Sequence, residues 1–351
     1  MKFLKDILKE ARAEKKLLTR EVAHFLGIDQ ALISKFETGG RKPSRKQLAK
    51  LAEVYGIDEK EILIPWLGEK IADELFEEEY GNEALLLADD IVQYNSGKKK
   101  AATAQIAKDD LQKIDVLKKQ LNKFRHLDSY RITQALELEY TFESNRIEGN
   151  TLTLKETDLV VNEGLTIGGK SMREHLEAMN HAHAIEFVKE LVDKKTLINE
   201  RLLLQIHNLI LRGIDNENAG RYRTVQVMIK GSKHIPPQPF LVAKRMEEYF
   251  VWYQKNKKIL HPVILAAEMH EKLVTIHPFI DGNGRTARLL MNMILLQHGF
   301  VIANIKGDAG SRMAYYEALE KAQTEKRNNA FIEFIAKTEA DALRQYIGIL
   351  S

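Results

Sequence analysis

Hydrophobic and polar positions follow a helical period along most of this chain. Across residues 1 to about 67, apolar residues recur at helical spacing between polar breaks at Gly27, Gly39, Gly40 and Gly56, which predicts several short helices in one compact module. From Leu111 onward the same period dominates, as in LDSYRITQALELEYTFE, HLEAMNHAHAIEFVKELV, LLLQIHNLILRG and NAFIEFIAKTEADALRQYI, so a second, mainly α unit is expected. Between the two lie an acidic stretch, Glu69 to Asp90, read as a solvated helix face, and NSGKKKAATAQIAKDD, nearly free of large apolar residues and read as a linker around Asn95 to Asp110. The expected division is 1–67, 68–115 and 116–351. One segment departs from the helical period: TVQVMI alternates, Lys230, Gly231, Ser232 and Lys233 supply a turn, and IPPQP forbids a continuous ladder. A short edge hairpin over Met228 to Pro237 is predicted there.

Composition narrows the class. With 351 residues, 44% hydrophobic and 29% charged, the chain is long enough for two folded units and falls in the range of globular proteins. It has no run near the ~20 apolar residues of a membrane span, and its charged, amphipathic start lacks the apolar centre of a signal peptide, so a cytoplasmic protein without a membrane partner is expected. Zero cysteines exclude disulfides, thiol catalysis and cysteine zinc sites. A net charge of +3 is too mild to announce nucleic-acid binding by the whole chain, but the charge is unevenly spread.

In LTREVAHFLGIDQALISKFETGGRKPS, a helix from Thr19 meets a turn at Gly27, and a second begins behind the cap-like Asp29. This is helix-turn-helix spacing. Through Glu21-Val22-Ala23, Gly27, Ile33-Ser34 and Glu37-Thr38-Gly39, residues 3–64 resemble the Cro and phage-repressor family. The resemblance implies that Ala31 to Phe36 belong to a recognition helix, with Gln30, Ser34 and Lys35 as base readers. Arg41, Lys42, Arg45 and Lys46 would neutralise phosphates of a DNA operator. A homodimer is expected by the same analogy, since palindromic operators mirror a two-fold axis.

The second unit contains HPFIDGNGRTARLLMNMILLQHG, where a polar, glycine-containing loop opens into a strongly apolar helix. Such a junction is an anion site, because the first amides of a helix lack intrahelical partners and the helix dipole adds positive charge there. Gly282 and Gly284 let the main chain approach a phosphate. His277 offers a base for a hydroxyl proton, Asp281 a hard oxygen for Mg²⁺, Asn283 a donor to phosphate, and Arg285 and Arg288 two guanidinium groups three residues apart. Together these residues describe a phosphotransfer site.

The segment His277 to Arg288 resembles the Fic signature H-P-F-x-[D/E]-G-N-[G/K]-R-x-x-R without departure, and the likeness extends over roughly residues 120–345. The fold class expected is therefore mainly α, a helix-turn-helix bundle followed by a helical Fic domain with a small β-hairpin flap. The resemblance implies transfer of AMP from ATP to a Ser, Thr or Tyr hydroxyl of a protein target. His277 would be the base, Asp281 the Mg²⁺ ligand, Asn283 and the Gly282–Gly284 backbone the α-phosphate contacts, Arg285 the β-phosphate contact and Arg288 the γ-phosphate contact. Upstream, Ser144 to Gly149 resemble the family's inhibitory motif [S/T]-x-x-x-E-[G/N], on a helix expected around 130–150. Glu148 would pair with Arg288 and displace ATP, because one guanidinium cannot grip a carboxylate and a phosphate at once. It could instead position water for removal of AMP, and both roles stand at this point.

The hairpin at Met228 to Pro237 resembles the Fic flap, which would hold an extended segment of the target by β-augmentation. Matching to the family also sets Gly231, Ser232, Lys233 and His234 near the nucleotide, and Tyr315, Tyr316 and Gln323 beside the adenine. His175, His181 and His183 lack the i, i+4 spacing of a metal pair and are read as packing or surface residues. A different class of function, a transcription regulator whose Fic domain only senses nucleotide, would need phosphate donors and a metal but no base. The intact His277 favours the enzyme.

Overall fold

The computed structural model describes residues 3–85, 87–88, 108–229, 231–325 and 328–351. Most of the expected linker, and Lys230 of the expected turn, lie outside these residues. Two compact units result, on either side of that linker.

The first unit consists of α1 (Leu4–Glu14), α2 (Thr19–Leu26), α3 (Gln30–Thr38), α4 (Arg45–Tyr55) and α5 (Glu59–Leu75). Their boundaries are local chemistry. The Asp29 carboxylate accepts from the Ala31 amide at 2.6 Å to start α3, Ser44 shares a reciprocal capping box with Gln47 to start α4, and Asp58 caps α5. Gly27 (φ 67°) and Gly39 (φ 82°) end α2 and α3 in the left-handed conformation. Leu8, Val22, Ile33, Leu48, Leu51 and Tyr55 form the core, and Arg12 ties α1 to α3 through a bidentate pair with Glu37 at 2.7 and 2.8 Å. The expected boundary at residue 67 falls inside α5. Pro65 leaves α5 continuous, and buried Trp66 anchors it by donating Nε1–H to the Pro43 carbonyl at 2.8 Å, so the unit extends past that boundary.

The second unit contains α6 (Lys108–Phe124), α7 (Tyr130–Ile147), α8 (Leu154–Val161), α9 (Met172–Asp193) and α10 (Glu200–Leu211). Further along come α11 (Pro239–Asn256), α12 (Pro262–Ile276), α13 (Asn283–Gln297), α14 (Ala309–Glu325) and α15 (Asn328–Leu350). α12 and α13 are buried on almost every face, from Val263 to Val274 and from Asn283 to Leu295, as helices apolar all round must be. They form the centre of the domain, and the loop between them presents the signature residues. No helix among the described residues is long and apolar enough to cross a membrane.

The mainly α expectation holds, but the hairpin does not form. No strand occurs among the described residues, and 224–229 and 231–237 are irregular. Pro236 and Pro237 have no amide to donate to a ladder. Two side chains join the arms instead: Arg223 donates Nη2 to the Pro237 carbonyl at 2.5 Å, and Gln226 donates Nε2 to the Pro236 carbonyl at 3.0 Å.

Candidate active site

His277 ends α12 in the left-handed conformation, at φ 49°. A non-glycine residue adopts this only when its surroundings hold it there. Here Arg223 supplies the hold: its amide donates to the Pro278 carbonyl at 2.9 Å and its Nε to the His277 carbonyl at 2.8 Å. The imidazole Nδ1 lies 3.3 Å from the Val274 carbonyl, a bond that requires Nδ1 to carry the proton and leaves Nε2 as the basic nitrogen. Burial, with smaller contributions from Arg223 and His234 and against the pull of the Val274 carbonyl, lowers the pKa of His277 to about 4, so the ring is neutral at pH 7.

The loop from His277 to α13 rests on His207, which the sequence reading passed over. Its ring stacks on Phe279 with centroids 3.6 Å apart, Nε2 donates to the Asp281 carbonyl at 2.9 Å, and Nδ1 accepts from the Gly220 amide at 2.9 Å. A Cβ on Gly282 would lie 3.2 Å from this imidazole, and Gly282 also adopts φ 78°, so glycine is needed there on both counts. Asn283 braces the same loop, its Oδ1 accepting from the Phe279 amide at 3.0 Å and its Nδ2 donating to the Phe279 carbonyl at 2.9 Å. The residue singled out as a phosphate donor thus first shapes the turn and keeps one amide hydrogen for other use.

Both arginines are buried. Arg285 faces Glu177 at 3.3 Å and Asp281 at 3.4 Å, and its Nε has no hydrogen-bond partner among the described residues. Arg288 donates Nε to the Ser144 hydroxyl at 3.0 Å, and Nη2 to both the Ser144 carbonyl at 2.9 Å and Glu148 Oε1 at 2.6 Å. Burial opposes its charge, but Glu148, together with Tyr315 and Tyr140, raises its pKa. The Glu148 carboxylate also lies over Gly284, where any Cβ would collide with it. It therefore covers the start of α13, where the free amides of a helix concentrate positive charge.

Asp281 pairs with Arg173 at 2.5 Å and accepts from the Gly282 amide at 2.6 Å. Arg285, the Gly282 amide and Arg173 hold its carboxyl below the usual range against the effect of burial. No three His, Cys, Asp or Glu side chains among the described residues gather into a metal cage. A single half-exposed carboxylate suits a Mg²⁺ that arrives on phosphates and keeps its waters.

The remaining residues are spread more widely. Gly231 turns at φ 80°, Ser232 accepts from the His234 amide, Lys233 is exposed 3.8 Å from Glu320, and His234 donates Nε2 to the Thr275 carbonyl at 2.8 Å. Tyr315 is buried with its hydroxyl 3.2 Å from His270, Tyr316 donates to the Ile147 carbonyl at the end of α7, and Gln323 is partly exposed on α14. His175 and His181 are buried, and His183 lies 3.0 Å from Arg212, as expected of packing and surface residues. In the first unit, Gln30, Ser34, Lys35 and Arg41 are exposed, whereas Lys42 is ion-paired with Asp73 and Glu69.

A helical bundle that presents a neutral histidine and two buried arginines around a covered helix start defines a Fic-type domain, preceded here by a helix-turn-helix unit. Residues 197–295 match the Fic/DOC family and residues 8–62 the helix-turn-helix family, so the chain carries both domains. Protein adenylyltransferase Fic of Nematostella vectensis is 39% identical over 211 residues, 60% of this chain and 48% of that protein. The chain spans about half the length of the curated relatives it matches. Among solved structures, a fragment of Fic-1 from C. elegans is similar with a TM-score of 0.61 at 25% identity, covering 99% of this chain and 98% of that one. A Fic domain containing signaling protein from Bacteroides thetaiotaomicron is similar with a TM-score of 0.62 at 26% identity, covering 68% and 96%.

Proposed function

We propose that the chain transfers AMP from ATP to a hydroxyl of a protein target and rests in an inhibited state. The observation that carries this reading is the neutral imidazole of His277 beside a helix start whose arginine is held by Glu148 at 2.6 Å. The likeness to proteins named adenylyltransferases supports the donor and the reaction. His277 Nε2 takes the proton of the target hydroxyl, the oxygen bonds to the α-phosphorus, and the bond from that phosphorus to the β-phosphate oxygen breaks, releasing pyrophosphate. Arg285 and the amides from Gly282 to Gly284 orient the phosphates and stabilise the charge that moves onto the leaving group. Asp281 would hold Mg²⁺, which when bound neutralises phosphate charge; Arg173 must then release one carboxylate oxygen. Arg288 reaches the terminal phosphate only when Glu148 leaves it.

The same carboxylate faces the phosphate site, which also supports the second reading, in which Glu148 orients water for removal of AMP. In the first unit, the exposed Gln30, Ser34 and Lys35 on α3 favour readout of an operator in the major groove.

The test is incorporation of label from ATP carrying it on the α-phosphate, compared among wild type, Glu148→Gly and Glu148→Gly/His277→Ala. Label on protein is expected to be strong in Glu148→Gly, weak in wild type and absent from the double variant. Equal labelling of the double variant would remove His277 as base, and transfer of label from the γ-phosphate instead would replace AMP transfer with phosphorylation.

A further inference from the structure

α7 turns Ser144 and Glu148 toward Arg288, and it carries Glu139, Glu143 and Arg146, at i, i+4 and i+7, on an adjoining face. That second face meets the connection from α13 to α14. Glu139 pairs with Lys306, Glu143 Oε2 accepts from the Gly307 amide at 2.7 Å, and one turn further on the Ile147 carbonyl accepts from the Tyr316 hydroxyl of α14 at 3.2 Å. The middle contact is the most demanding. Glu143 is only 7% exposed, and a buried carboxylate is costly unless it is hydrogen-bonded. Arg146 lies 3.7 Å from it, too far for a hydrogen bond, so the Gly307 amide is the bond that holds it. Gly307 has no left-handed backbone to require glycine, yet a Cβ there would lie 2.8 Å from Arg146 Cβ and 3.0 Å from the Glu143 carbonyl oxygen. Carbon atoms in ordinary contact stay about 3.5–4.0 Å apart, so this position lacks a side chain because α7 presses against its backbone.

We infer that the backbone at Gly307 is the stop against which α7 is seated, and that Glu143 and Gly307 are positioning residues for Glu148. Together they set how closely the last turn of α7 approaches Arg288. No proline or glycine interrupts α7 between Glu143 and Ile147, so a shift at Glu143 reaches Glu148 as a displacement of the whole turn. Glu148 holds Arg288 through one oxygen at 2.6 Å, and a movement of about 1 Å would take that oxygen out of hydrogen-bond range. Bringing Arg146 Cβ from 2.8 Å to an ordinary contact with a new side chain at 307 asks for a movement of about that size. A change in the α13–α14 connection therefore acts on the inhibition without touching Glu148 or Arg288. The consequence for transfer rests on the proposed AMP transfer, whereas the seating of α7 does not.

The experiment uses the full chain carrying Gly307→Ala, Glu143→Leu or Glu143→Gln, each in the wild-type and the Glu148→Gly background, with ATP labelled on the α-phosphate. Melting curves establish that the variants fold. Gly307→Ala and Glu143→Leu should each raise incorporation about fivefold over wild type, whereas Glu143→Gln, which keeps an oxygen for the Gly307 amide, should stay within about twofold. In the Glu148→Gly background none of the three should change incorporation by more than about twofold, because the carboxylate they seat is gone. Unchanged incorporation in folded Gly307→Ala and Glu143→Leu overturns the inference. So does a change of equal size in both backgrounds, which would mean that these contacts serve only the fold or the chemical step. Hydrogen exchange of residues 143–150, read by mass spectrometry, tests the seating without the reaction: it should speed up about threefold or more in Gly307→Ala and Glu143→Leu, and protection equal to wild type overturns the seating. Absence of label from Glu148→Gly itself would instead remove AMP transfer and leave the exchange result to decide the seating.

Discussion

Oε1 of Glu148 lies 2.6 Å from Nη2 of Arg288, across 140 positions of sequence, and the same carboxylate covers the α-carbon of Gly284. One side chain therefore neutralises a buried cation and blocks a helix start. Ser144, one turn earlier on α7, accepts from the same guanidinium through both its hydroxyl and its carbonyl.

Ser144→Ala removes the hydroxyl acceptor and leaves the carbonyl one. The loss of a single hydrogen bond, about 1 kcal/mol, should weaken the resting state and raise AMP incorporation about fivefold, well below the effect of Glu148→Gly. Initial rates of labelling check this; an unchanged rate would mean that Ser144 takes no part in inhibition.

The pH dependence follows from two buried histidines. His277 and His207 both have pKa values near 4, lowered chiefly by burial. The neutral base is present down to that value, so the chemical step should stay flat from pH 8 to about 5 in Glu148→Gly and fall below. Stability behaves differently. Between the unfolded value of ~6.5 and about 4 the unfolded chain binds more protons, so stability is full above pH ~6.5 and is lost as pH falls through that window. Each histidine accounts for up to about 3 kcal/mol of that loss. Urea melts of wild type and His207→Gln at pH 7 and 5 should show a smaller loss in the variant, and equal losses would exclude His207 as a contributor.

Arg223 is buried with no acidic partner among the described residues, and burial lowers its pKa. It fixes the His277 carbonyl, the Pro237 carbonyl and the Val225 carbonyl at once, a fork that Lys cannot reproduce. Arg223→Lys in the Glu148→Gly background should lower kcat at least tenfold with nucleotide affinity within about threefold, measured by single-turnover labelling and by nucleotide titration. A matching loss in affinity would assign Arg223 to binding.

Lys42 and Arg41 were equivalent as phosphate contacts in the sequence, yet only Lys42 is neutralised by Asp73 and Glu69. Arg41→Ala should reduce the salt slope of operator binding by about one, whereas Lys42→Ala should leave it close to wild type. Fluorescence titrations at several salt concentrations distinguish the two, and equal slopes would refute the difference.

Features that depend on near neighbours are legible in the chain alone. Helices follow from apolar spacing, the turn at Gly27 and the start at Asp29 from local backbone chemistry, and the order of His277, Asp281, Gly284, Arg285 and Arg288 from one uninterrupted segment. Motif likeness extended this reach to Glu148. Other features depend on long-range packing. His207 became legible only when α10 packed under the loop and set its ring on Phe279, because nothing in the spacing of LLLQIHNLILRG separates it from an ordinary core histidine. The signal for a strand in TVQVMI was real but local, and it lost to a distant requirement, since the prolines could not complete a ladder and the buried Arg223 claimed the carbonyls. Periodicity encodes which face of an element is buried, whereas the partner met on that face is chosen by how the whole chain packs.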